Sequence, residues 1–408
     1  MVNDFSSLAF LILGLVIVVL LIFIKPHLSI LAPIYGVMFS LPISILFGNL
    51  SLVNLGLQLI GIVSSMVLLL KAGTNRLVAP IVSSLIILLF ICVLGYLIGI
   101  QRVEQIVQLQ AIKILILPIM LSIGCINPKF NWKNSLKILI AILGIENFFA
   151  IIQYRLGVSY LISIGLEYGS ELRLIEGQLR PPALFMNHFE YGLFSAAIFV
   201  ACIGYRKYSS LGNERWVKYG FFISGLGVVL STARTAILIA LVAYVLSSQL
   251  DNSRSKILKG KVTKSINALG LAFIITLIFP SLTASASVYS RFDNWQLILS
   301  KFNIFFGNGL GSAGGATSSN FYREESKVIV DNYLLSILAQ VGVIGLVLFL
   351  ICLFGLVKGQ IKHKFVVIAI TFSFLTLESW EYFAPMSILL IAQFQVAMCQ
   401  QNLIPSGS

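Results

Sequence analysis

Apolar segments of about 20 residues recur along this chain, at roughly 6–24, 28–47, 52–70, 78–100, 108–125, 136–153, 188–205, 217–232, 234–250, 265–283, 332–356, 364–378 and 382–399. A helix of that length crosses the roughly 30 Å hydrocarbon core of a bilayer. In lipid a helix is also one of the few structures that satisfies its own backbone N–H and C=O groups. The pattern therefore dictates an all-α fold: a polytopic transmembrane helix bundle of about 12–14 spans, forming one integral-membrane domain over residues 1–408. Composition agrees, because 58% of the residues are hydrophobic and 11% charged, against roughly 25% charged in soluble domains. A soluble globular enzyme is excluded. No Lys or Arg precedes the first apolar run, so it lacks the basic start of a cleaved signal peptide and is expected to stay as a span.

Charge sets the expected orientation, since short cationic loops are retained in the cytoplasm. Lys25 and the loops 71–77, 126–137, 206–218, 251–264 and 357–364 alternate along the chain as cytoplasmic loops must. Together they hold 18 of the 28 Lys and Arg but two of the 15 acids, a net of +16 that leaves −3 for the rest of the chain. The overall +13 is thus a topology signal, and no nucleic-acid partner is expected. The type of cation also changes across the membrane: 14 Lys and four Arg lie on the basic side, three Lys and seven Arg on the other. Retention needs only charge. Arginine adds a planar fork that meets phosphate or carboxylate oxygens in pairs, so the outer arginines (102, 155, 173, 180, 234, 291 and 323) point either to anion binding or to salt bridges with nearby acids.

Two outer segments are long, 154–187 and 284–331, and long loops in compact proteins usually carry function. They are expected to cover the active site. Each contains a stretch that reads as an amphipathic helix on the membrane surface, the first ended by Pro181-Pro182, the second over residues 290–306. The second loop also contains Gly309-x-Gly311-x-x-Gly314, which matches a dinucleotide fingerprint in letters only, with no βαβ context; a mobile turn over a substrate cleft is the expectation. All five cysteines lie in or at the ends of apolar segments without C-x-x-C spacing and read as small core residues. No metal-ligand motif is present, and neither metal nor cofactor is expected.

The residues that can carry chemistry gather at the outer ends of spans. Arg234 splits a 34-residue apolar stretch between two basic loops, so the chain must turn there, and a charge at that depth faces a wet cavity or a partner unless it snorkels to headgroups. Arg180 leads through two prolines to Asn187, His188 and Glu190 at the start of a span, with His188 either a structural residue or an acid/base group. Asp331-Asn332 opens another span, where either side chain suits a helix cap. Glu146 is an intramembrane carboxylate near an outer end, functional or paired by default. An enzyme on the outer face without nucleotide sugars needs a lipid-pyrophosphate donor, cations to stabilise the leaving pyrophosphate, and a base for the acceptor hydroxyl.

Arg180 through Asn187, the STAR string ending at Arg234, Arg291-x-x-x-Trp295 followed by GNGLG, and DNYLLSILAQVGVIGL from Asp331 together resemble the O-antigen ligase and O-antigen polymerase (Wzy-type) superfamily. The resemblance covers roughly 180–356. It implies a metal-independent inverting glycosyltransferase of the bacterial cytoplasmic membrane, with its active site facing the periplasm or exterior. Donor and acceptor would be undecaprenyl-pyrophosphate-linked saccharides, and a chain-length regulator and a flippase would be partner proteins. Carried over, Arg180, Arg234 and Arg291 engage pyrophosphate. From the sequence itself, Arg173, Arg323, Asn187 and Asn332 are further substrate-binding candidates. Asp331, Arg291, Glu190 and His188 are the catalytic candidates. Ligases of this family typically have His-Asn where this chain has Asp331-Asn332, which favours a repeat-unit polymerase over a ligase; a transporter or flippase of lipid-linked saccharide is the alternative from another class.

Overall fold

A computed structural model describes residues 29–47, 50–71, 78–127, 130–163, 166, 173–175, 178–185, 187–208, 214–251, 295–296, 300, 302–314, 332–357 and 382–401. The predicted spans at 6–24, 265–283 and 364–378, most of the second outer loop, and Arg291, Arg323 and Asp331 lie outside these residues. The protein is a polytopic membrane protein built of helices. Among the described residues, six are long and apolar enough to cross a membrane: Val53–Leu70, Ile81–Gly99, Gln105–Ile126, Trp132–Ser163, His188–Arg206 and Tyr333–Leu356. Large apolar side chains cover their outward faces, among them Leu89, Phe90 and Val93 on one helix and Val347, Leu350 and Phe354 on another. Water would make such surfaces costly, whereas lipid accepts them.

In chain order the elements are α1 (Ala32–Met38), α2 (Ser40–Phe47), α3 (Leu50–Leu70), α4 (Val78–Gly99), α5 (Gln105–Ile123), α6 (Trp132–Ser163), β1 (Arg173–Ile175), β2 (Gln178–Arg180), α7 (His188–Tyr208), α8 (Arg215–Ser231), α9 (Arg234–Asp251), α10 (Tyr333–Val357) and α11 (Phe383–Gln401). The span expected at 28–47 is two short helices meeting at Phe39. Pro42 accounts for the break, because it lacks an N–H and its ring crowds the carbonyl of residue 38. Contacts divide the chain into two compact units, residues 1–76, 117–237 and 384–408 in one and 77–116 and 238–383 in the other.

In the first unit α8 packs against both α6 and α7. Side chains tie further elements to it: Ser65 Oγ accepts from the Gly124 N–H (2.8 Å), Asn127 donates to the Leu68 carbonyl (2.8 Å), and Gln395 donates to that of Cys125 (2.6 Å). α6 is interrupted at Gly157 (φ 77°) and resumes to Ser163. This short tail is amphipathic, burying Leu161 while Tyr160 and Ile162 stay exposed. Helix was expected to continue towards the prolines; instead residues 173–175 and 178–180 pair as two antiparallel strands. Leu179 on β2 joins Leu41, Leu161 and Leu166 in one apolar cluster, with Leu174 of β1 against it, and that cluster seats the strand pair on α2 and the end of α6.

In the second unit α4 and α10 run side by side, joined by a reciprocal pair in which Ser84 Oγ donates to the Cys352 carbonyl (3.1 Å) and the Cys352 thiol to that of Ser84 (3.3 Å). Cys92, Cys125, Cys202 and Cys352 are buried free thiols. α10 is broken at Gly342 (φ 69°). The backbone groups freed by the break are taken up by the segment 303–314: Asn308 N–H donates to the Ala339 carbonyl (2.9 Å), Gly309 N–H to that of Gln340 (2.9 Å), and Val343 N–H to that of Ile304 (2.8 Å). The Gln340 side chain accepts from the Gly311 N–H at 2.8 Å. Gly309, Leu310, Gly311 and Ala313 are buried, so the glycine-rich stretch is a packed plug rather than a mobile turn. At Gly309 (φ 101°) an added Cβ would collide with the backbone of Gly99. Before the plug, residues 303–306 form a turn capped by Asn303, whose side chain accepts from the Phe305 and Phe306 N–H groups, where the end of an amphipathic helix was expected.

Candidate active site

The candidate residues that the first unit gathers stand around the start of α7. Pro181 and Pro182 end β2, and the chain turns through Ala183, held at φ 57°, a conformation uncommon for a residue with a Cβ. α6 holds that turn from behind. Gln153 pairs with Ala183 in both directions, donating to its carbonyl at 2.7 Å and accepting from its N–H at 2.9 Å. Seven residues earlier, Glu146 accepts from the Leu184 N–H at 2.8 Å. Both side chains are buried, and a local strain of this kind persists only where its surroundings fix it.

α7 then begins. Asn187 is its cap, accepting from the Glu190 N–H at 2.8 Å, as side chains at this position commonly do. Glu190 stands in the first turn, where the helix dipole favours a carboxylate. His188 is 1% exposed and its Nε2 lies 3.5 Å from a terminal nitrogen of Arg180. For the guanidinium to donate to it, Nε2 must carry no proton. One turn on, Tyr191 donates to Asn147 of α6 at 2.6 Å, and Asn147 donates to the Ile223 carbonyl of α8 at 2.8 Å. These two bonds lock α6, α7 and α8 in register.

Arg234 reaches the same end of the unit by another route. α8 closes at Thr232 in the left-handed region (φ 51°), Ala233 N–H donates to Ser231 Oγ at 3.3 Å, and α9 begins at Arg234. That reversal lies where the charge in the apolar stretch predicted it. A Cβ added at Gly192 would lie 2.6 Å from Ser231 Oγ and 2.8 Å from the Ala233 Cβ, so the turn carrying Arg234 sits against the first turns of α7. The only two non-glycine residues with positive φ among the described ones, Ala183 and Thr232, thus flank this corner.

Arginine density there is the feature that needs a chemical reason. β-pairing sets Arg173 in register with Arg180. Arg234 begins a helix, the end at which the backbone dipole is already positive. Arg180 itself is buried, with His188 as a neighbour. Asn332, in the second unit, caps α10 through bonds from the Leu334 and Leu335 N–H groups at 3.0 and 3.3 Å. Among the described residues no three His, Cys, Asp or Glu are grouped as metal ligands.

Sequence reading singled out Glu146 but passed over Asn147 and Gln153. The spacing held a signal: Glu146 and Gln153 are seven residues apart, two turns on one helix face, inside an otherwise apolar span. Neither the protein-family models nor the curated proteins compared with this chain match it.

Proposed function

We propose that the protein is a bacterial surface-polysaccharide repeat-unit polymerase. In this reading it is a metal-independent inverting glycosyltransferase of the cytoplasmic membrane that takes glycan from an undecaprenyl-pyrophosphate-linked donor and passes it to a lipid-linked acceptor on the outer face. The observation that carries the reading is the meeting of Arg180 with His188 at the head of α7, with the Arg234 turn packed beside them. In the reaction an acceptor hydroxyl attacks the anomeric carbon, the bond from that carbon to the phosphate oxygen breaks, and the hydroxyl proton passes to a base. Undecaprenyl pyrophosphate leaves. The arginines stabilise the charge that grows on the pyrophosphate, with Arg173 opposite Arg180 as a further donor. Asp331 is the proposed base, with Glu190 and His188 next in line.

Transport of lipid-linked saccharide is the second reading, favoured by the break in α10, since transporters use discontinuous helices to bind cargo. Against it, the backbone groups freed at Gly342 are taken up by residues 304, 308 and 309 of the protein itself, rather than left for a ligand. Incubating purified protein with a lipid-linked repeat unit separates the readings. A ladder of products supports polymerisation, a single transfer step supports a ligase, and unchanged substrate that crosses the bilayer supports transport.

A further inference from the structure

The opposite end of the first unit, where α6 begins and α7 ends, carries a second constellation that the proposed glycosyl transfer does not use. Lys133 of α6 pairs with Glu214, ahead of α8, at 2.6 Å, and the Trp216 indole N–H also donates to Glu214. This carboxylate is therefore spoken for. Around it stand cations held by aromatic rings. The Lys137 ammonium lies 5.4 Å from the centre of the Trp216 ring, whose other neighbour is Tyr205 at 4.9 Å, and the Arg206 guanidinium lies 5.9 Å from the centre of Phe221. Lys137 and Arg206 are exposed, as are Arg215 and Lys218 on the first turn of α8. Neither Lys137 nor Arg206 is within ion-pair distance of a carboxylate among the described residues, although the Lys137 charge also acts on Glu214.

Charge retention alone asks for cations in a loop; it does not ask that they be fixed over rings. A cation over an aromatic face is held in place yet keeps its charge for a further partner. Trp and Tyr favour the headgroup level of a bilayer, which sets these cations at the depth of lipid phosphates. The uncapped start of α8 adds backbone N–H groups of the same polarity.

We infer that this corner is a binding site for the phosphate of an anionic phospholipid, with Lys137 and Arg206 as its principal contacts, the first positioned by the Trp216 ring and the second by Phe221. The shared chemistry is a phosphate oxyanion. The lipid source is favoured because the corner lies at the end of membrane-spanning helices, on the side to which the charge split assigns the cytoplasm. There the anionic leaflet rewards each nearby Lys or Arg by about five-fold in binding.

Native mass spectrometry of the full-length protein tests this, with phosphatidylglycerol, phosphatidylcholine of the same acyl chains, and inorganic phosphate as separate probes. The expected result is preferential retention of phosphatidylglycerol, reduced about five-fold by Lys137→Gln or Arg206→Gln. Lys71→Gln, which removes an exposed cation at the end of α3, is expected to leave it unchanged. Equal retention of the two lipids, or a loss in Lys71→Gln as large as in Lys137→Gln, means diffuse charge and overturns the site. Inorganic phosphate displacing the lipid at equal concentration assigns the corner to free phosphate and overturns the lipid claim.

Discussion

At the scale of single residues the account turns on what each polar group is bonded to. Arg180→Lys and Arg234→Lys keep the charge but lose the paired geometry of guanidinium on phosphate, so each is expected to cut transfer on the order of ten-fold or more with the fold intact; activity near that of the native protein would show that charge alone suffices. Glu146 gives a stability prediction. Glu146→Gln keeps an oxygen for the Leu184 N–H, whereas Glu146→Ala leaves that N–H without it and should lower stability by about 1–3 kcal/mol, read as a lower Tm for Ala than for Gln. Asp331→Asn should abolish transfer without unfolding, because the cap bonds of α10 come from Asn332; full activity would pass the role of base to Glu190 or His188. Glu214 sets a pH dependence. The Lys133 ammonium bonded to it holds its carboxyl below the usual carboxylate range. The pair therefore stabilises the protein fully above that range and ceases to do so as pH falls through the lowered value. Glu214→Gln should flatten the acid limb of Tm against pH, a small effect that salt reduces further.

Elements were legible where one residue type forced the outcome. The α8–α9 reversal could be read because Arg234 cannot sit inside a continuous apolar helix, and the start of α7 because two prolines precede Asn187. The strand pair at 173–175 and 178–180 was missed. Its Leu and Ile lie among Glu and Arg at spacings that also suit a surface helix, although two three-residue strands around Glu176-Gly177 match the short connection of a hairpin. The break at Gly342 was hidden for a different reason: Gln-Val-Gly-Val-Ile-Gly looks like any apolar run, and the segment that fills the break lies some 30 residues earlier. Composition marked this stretch as flexible, but the glycines of residues 307–314 allow the close backbone approach that buries that part of it. Gly342→Ala tests the plug. Its Cβ would meet the Phe305 backbone at a positive φ, costing about 1–3 kcal/mol from conformation alone. Gly56→Ala, in a helix with open space around it, should be neutral or stabilising. Equal thermal stability of the two variants would remove the plug's structural role.

For the whole molecule, the charge split predicts on which side the chemistry takes place. A cysteine introduced as Ser318→Cys should react with an impermeant thiol reagent added outside intact cells, and one introduced as Ser210→Cys only after the membrane is opened. The reverse pattern would put the arginine corner on the cytoplasmic side and remove the reason for a lipid-pyrophosphate donor. Membrane class and bundle architecture were written in hydropathy. The arginine corner was legible only in part, because pairing Arg173 with Arg180 depends on a strand register that no local spacing announced, and His188 meets Arg180 only once Gln153 and Glu146 have fixed the turn between them. The central claim is that this corner receives the pyrophosphate of a glycan donor. Its most direct test follows undecaprenyl pyrophosphate released by purified protein from a lipid-linked repeat unit, alongside the Arg180→Lys variant. Release matched one for one by new glycosidic linkages, and falling on the order of ten-fold or more in the variant, is the predicted result; linkage without released pyrophosphate, or no release from folded protein that binds the donor, would contradict it.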